Sequence, residues 1–76
     1  MFARKAVARA LDGQITRSGT IRARFPGSDR MFEIDLDADH PDGFKVIGYY
    51  NGPKLEAVYA HVRSRLRNLL DAKAGA

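Results

Sequence analysis

Carboxylates and histidines are where this chain could do chemistry. Asp35-Leu36-Asp37-Ala38-Asp39 carries the alternate acids that open a calcium loop. Such a loop needs Gly at its sixth position for a sharp turn and Glu at its twelfth to close on the ion. His40 and Val46 stand there instead. The acids therefore read as the polar face of a strand and the turn after it. His40 and His61 are the only histidines, and there is no cysteine. One falls in a predicted turn and the other on the polar side of a predicted helix, so no metal-ligand set forms. Ser18, Ser28 and Ser64 lack the local context of a nucleophile. Gly48-Tyr49-Tyr50-Asn51-Gly52 lacks the spacing and the Lys-Ser/Thr pair of a phosphate loop. A deep pocket is hard to build in 76 residues. The expectation is a protein that is not an enzyme, with no catalytic residue, cofactor or metal.

What remains is the chemistry of contact. The net charge is +4, from 13 basic and 9 acidic side chains. Basic residues cluster early and late, and the acids gather between Asp29 and Asp42. Such a balance suits nucleic acid, an acidic protein surface or an anionic membrane. Tyr and Arg are enriched where a few contacts carry binding energy. The candidate partner-binding residues are therefore Arg22, Arg24, Tyr49, Tyr50, Arg63 and Arg67. Alternation along a strand sends one of Tyr49 and Tyr50 inward and the other outward. Arg63 and Arg67 lie on one flank of a helix, Arg65 on the other. Glu56, seven residues before Arg63, is beyond the i to i+4 reach. Arg63 and Arg67 are thus expected to be less compensated than Arg22.

These residues need elements to hold them. Leu55, Val58, Tyr59, Val62, Leu66, Leu69 and Leu70 fall within an arc of roughly 120° on a helix, so residues 53–72 form one long amphipathic helix. Pro53 suits its first turn. A short helix is expected over residues 2–11, with Phe2, Ala3, Ala6, Val7, Ala10 and Leu11 on one face and Gly13 as a left-handed cap. Residues 14–19 read as a linker. Three strands follow, over residues 20–25, 30–37 and 44–50, each with alternating apolar positions. Pro26-Gly27-Ser28-Asp29 and Asp39-His40-Pro41-Asp42-Gly43 are turns between them. If residues 26–29 form the first loop, Arg22 faces Glu33 and Arg24 lies beside Met31. A loop two residues longer pairs Arg24 with Glu33 and Arg22 with Asp35, and either register sets basic against acidic side chains. The expected fold is α+β in the order α-β-β-β-α. A three-stranded antiparallel sheet packs against a long C-terminal helix and a short N-terminal one. The late stripe of the long helix, at Leu69 and Leu70, overhangs so narrow a sheet. It is expected to meet Val7 and Leu11, or a second copy.

The length bounds the rest. The chain, residues 1–76, is one small domain, of thin stability. It begins at Met1 and is expected to be a complete small protein. No apolar run suits a secretory signal or a membrane span. With no cysteine, the cytoplasm is the expected compartment.

Three resemblances follow from these residues and this order. The helix–strand–strand–strand–helix order resembles the double-stranded RNA-binding domain, although Gly52-Pro53-Lys54-Leu55-Glu56 offers one lysine where that family has a cluster. Only Pro26-Gly27 stand where it has a glycine–proline–histidine loop. The strands and last helix also resemble the three-stranded DNA-binding domains of ethylene-response factors and phage integrases. Arg22 and Arg24 match their groove-reading positions loosely, whereas Glu33, Asp35 and Asp37 on the same face would repel phosphates. In size and character the chain resembles the small inhibitors of phages and mobile elements, including anti-CRISPR proteins. This last resemblance implies a stand-alone, non-enzymatic binding protein that occupies a host protein or nucleoprotein complex, as monomer or homodimer. The first two imply a direct nucleic-acid-binding module.

Overall fold

The computed structural model describes residues 3–52 and 54–74. The chain runs α1 (Arg4–Ala10), β1 (Gln14–Ile15), β2 (Ile21–Arg24), β3 (Met31–Leu36), β4 (Phe44–Tyr50) and α2 (Leu55–Ala74). The α+β class holds, but the sheet has four antiparallel strands in the order β1-β2-β3-β4, not three. The added strand comes from the segment read as a linker. Gln14 pairs with Arg22 and Ile15 with Ile21, and the turn closes through Thr16 N–H to the Thr20 carbonyl at 2.8 Å. Two residues are too few to show alternation, so only the pairing itself makes them a strand. Phe2 and Pro53, assigned above to a helix face and a helix start, lie outside the described residues.

Alternation builds the sheet as its pattern requires. Ile21, Ala23, Phe32, Ile34 and Phe44 are buried on the face toward the helices. Arg22 pairs with Glu33 and Arg24 with Met31 on the other face, the register expected for a 26–29 loop. Val58, Val62 and Leu66 of α2 close the core, with Tyr59 and Leu69 packed at its margin. Val7 and Ala8 of α1, and Leu11 at its C-cap, join the same cluster. Leu69 therefore finds its cover within the chain. Leu55 and Leu70, at the two ends of the stripe, stay exposed.

The ending of α1 differs from the expected mechanism. After α1, the left-handed residue is Asp12 (φ 53°), not Gly13. Gly13 N–H donates to the Ala8 carbonyl and Asp12 N–H to that of Arg9, the 6→1 and 5→2 bonds of a Schellman ending. Gly13 is needed for space: a Cβ there would lie 2.6 Å from the Arg22 carbonyl oxygen and 2.9 Å from Ala23 Cβ.

β4 carries a bulge. Glu33 pairs with Gly48 but Ile34 with Val46, leaving Ile47 as the extra residue. The extra residue inverts the alternation beyond it. Tyr49, opposite Phe32, then lies on the helix side, and Tyr50, opposite Met31, on the outer side. Both rings remain about half exposed, so the inward tyrosine is an edge ring rather than a core one.

Candidate partner-docking surface

The pairing fixes which side chains share an end of the molecule. Arg24, Met31 and Tyr50 form one row across β2, β3 and β4. Beyond that row lies the β2–β3 turn, held by Phe25 N–H to the Arg30 carbonyl (2.7 Å) and Arg30 N–H to Ser28 Oγ (3.0 Å). Arg30 also reaches across, donating through Nη1 to the Gly52 carbonyl at 3.2 Å. That bond sets the hairpin beside the start of α2. Leu36 and Phe44 mark the opposite end, where Asp35, Asp37, Asp39 and Asp42 collect. The sheet register thus separates a basic end from an acidic end.

Two open grooves flank the Phe25–Pro26 ridge at the basic end. One, of about 300 Å³, lies between the end of α1, the hairpin and α2, with Arg24, His61 and Arg65 on its walls. The other, of about 390 Å³, is lined by Ser28, Arg30, Lys54 and Ala57. Asp12 is the one carboxylate on their walls among the described residues. No acid pairs with Arg24, Arg30, Lys54 or Arg65 among those residues.

His61, expected on the polar side of the helix, is half-buried against this ridge. Its ring centroid lies 5.7 Å from Phe25 and 5.9 Å from Phe32. Phe25 rises from the hairpin onto that flank of α2 and covers it. Burial, with Arg65 close by, holds His61 below its ordinary pKa, so its imidazole is neutral at pH 7.

The candidate residues read from sequence divide between free and satisfied. Arg22 donates to Glu33 at 3.3 Å and its guanidinium stands 5.6 Å over the Tyr50 ring. Tyr50 folds across Gly48 and faces Glu33, with Oη 3.4 Å from the carboxylate. Thr20 donates to the same carboxylate at 2.6 Å. That hydroxyl, with Arg22, holds Glu33 below its ordinary pKa. These groups form a closed network on the outer face.

Arg63 differs most from the expectation. It makes a two-pronged bond to Asp42, Nε to Oδ1 at 2.9 Å and Nη2 to Oδ2 at 3.0 Å. It also lies 5.4 Å over the Tyr59 ring. Its partner is 21 residues away, so a search within the helix could not find it. The Arg63 bond holds Asp42 below its ordinary pKa and raises that of Arg63. The pair sits at the acidic end beside His40, whose ring stacks on Tyr59 at 5.8 Å and whose Nδ1 accepts the Asp42 N–H at 3.1 Å. This cluster fastens the β3–β4 turn to α2. Arg67 is exposed on α2 and lines neither groove.

Arg24 is therefore the sequence-chosen residue at the basic end that stays free; Tyr50 and Tyr49 are each about half exposed, the first tied to the Glu33 network and the second at the sheet edge. Arg30, Lys54 and Arg65 were not selected from sequence. Arg30 and Lys54 each precede an element and Arg65 lies in the middle of α2, so their charges show no grouping until the hairpin meets α2. Asp35 faces Lys45, and Asp37 Oδ1 accepts the Asp39 N–H at 3.0 Å, the geometry of a strand end and turn. Set against known protein families, curated proteins and solved structures, the chain matches none of them.

Proposed function

We propose that this chain is a non-enzymatic, stand-alone binding protein that acts by occupancy. It docks its basic hairpin end on an anionic surface of a host protein or nucleoprotein complex, as small phage and mobile-element inhibitors do. The observation that supports this is the grouping of unpaired cations around one apolar ridge. Arg22 and Arg63 are answered within the fold, whereas Arg24, Arg30, Lys54 and Arg65 surround Phe25 and Pro26 with no ion-pair partner among the described residues. Unanswered cations beside an apolar ridge suit binding more than stability. Surface ion pairs add only about 0–1 kcal/mol to a fold, so stability alone gives little reason for the arrangement.

Affinity capture from a bacterial lysate, with mass spectrometry, tests the reading. The wild-type chain is expected to retain a partner that the Arg30→Glu, Lys54→Glu variant loses. An Arg63→Glu variant is expected to keep that partner. A partner held equally by all three proteins would place the docking surface elsewhere.

A further inference from the structure

We infer that the basic hairpin end contacts the phosphate backbone of nucleic acid, an inference that rests on that end being the partner-docking surface. Four cations, Arg24, Arg30, Lys54 and Arg65, stand on both sides of one apolar ridge. Two open grooves joined at Phe25 and Pro26 suit an extended polyanion better than a small ion, which needs an enclosed site. The composition also favours nucleic acid over acidic protein. Stable protein–protein interfaces have an apolar core depleted of charge, whereas protein–nucleic acid interfaces are more polar and far more positive. Here the apolar share of the patch is thin. Ile15, Ile47, Leu55 and Leu70, the exposed aliphatic residues, line neither groove. A single nucleic-acid-binding module covers about 600–1,000 Å², an area that a molecule of 5307 Å² can supply.

The acids that would oppose phosphate on the outer face lie away from this end. Glu33 is held by Thr20 and Arg22, and Asp35 faces Lys45. Asp12 on the α1 side and Asp29 in the hairpin turn are the exceptions. Asp29 lines neither groove, and Asp12 does not line the groove of Arg30 and Lys54, which sets those two cations as the stronger contacts.

The test is fluorescence anisotropy with labelled 20-nucleotide DNA and RNA, single-stranded and duplex, at 50 and 200 mM NaCl. Four phosphate contacts predict that affinity for a duplex falls on the order of 100-fold between the two salts. Arg30→Ala with Lys54→Ala should weaken binding and lower the log–log salt slope by about 2. Arg24→Ala with Lys54→Ala is a second pair that leaves the Arg30–Gly52 bond intact. Arg63→Ala should change neither affinity nor slope. Circular dichroism and melting establish that each variant is folded. No binding to any of the four probes at 50 mM overturns the inference, as does a slope unchanged in both double variants. A captured partner that resists nuclease but is lost with the Arg30→Glu, Lys54→Glu variant also overturns it. In that case the hairpin end still docks, on acidic protein. If that variant keeps the captured partner as well, both readings fall.

Discussion

Gly13 and Tyr59 show how single residues decide local geometry. Gly13 does not supply the left-handed turn after α1, because Asp12 does. It supplies room for α1 against β2, since a Cβ would meet the Arg22 carbonyl at 2.6 Å. Backbone cannot yield as a flexible side chain can. Gly13→Ala should therefore cost about 1–3 kcal/mol, the range for forced overpacking, read as a lower urea midpoint. Tyr59 covers part of an exposed sheet edge. Its hydroxyl accepts the Val46 N–H at 3.1 Å, a group that otherwise faces outward from the last strand. Tyr59→Phe should cost about 0.5–1.5 kcal/mol and speed hydrogen exchange at the Val46 amide. An unchanged exchange rate would mean that the hydroxyl does not shield that edge.

At the scale of elements, α2 is the keel of the fold. Its middle residues, Val58, Val62 and Leu66, are buried, and its terminal Leu55 and Leu70 are not. Truncation should therefore have opposite outcomes along one stripe. Leu66→Ala should cost about 2–5 kcal/mol, a large share of what so small a domain holds. Leu70→Ala should stay within about 0.5 kcal/mol. Thermal melts of the pair check this, and equal losses would show that the stripe is buried to its end, as in a dimer. The bulge at Ile47 acts at the same scale. One extra residue in β4 turns Tyr50 outward over Gly48 and leaves Tyr49 at the edge on the helix side.

For the whole molecule, the acidic groups and His61 set the response to pH. Hydrogen bonds from Thr20 to Glu33 and from Arg63 to Asp42 lower both carboxyl pKa values, and burial lowers that of His61. In all three cases the unfolded chain binds protons more readily than the folded one. Stability therefore falls as pH falls. The loss should begin below about pH 6.5, as unfolded His61 charges and the folded ring resists. It should resume below about pH 4, as Glu33 and Asp42 take up protons. Urea midpoints at pH 7.5, 5.5 and 3 should show both steps, and His61→Leu should remove the upper one. A midpoint indifferent to pH between 7.5 and 5.5 would mean that His61 is solvated rather than packed between Phe25 and Phe32.

The amino-acid sequence alone determined what depends on short-range periodicity. It set the amphipathic helix, the three longer strands and the burial of Leu66, because a repeat of 3.6 or 2 residues shows in the residues themselves. Of the two registers open to β2 and β3, the fold chose Arg22 on Glu33. No membrane-crossing helix was expected. Among the described residues, no helix is long and apolar enough to cross a membrane. Tertiary structure decided whatever depends on distant partners. β1 exists because β2 accepts it. Arg63 is neutralised because Asp42 arrives from a turn 21 residues away. His61 leaves the polar side because Phe25 covers it. Arg30, Lys54 and Arg65 become neighbours of Arg24 only when the hairpin folds onto α2. Charge is legible residue by residue, but whether a charge is already answered depends on what the fold sets beside it.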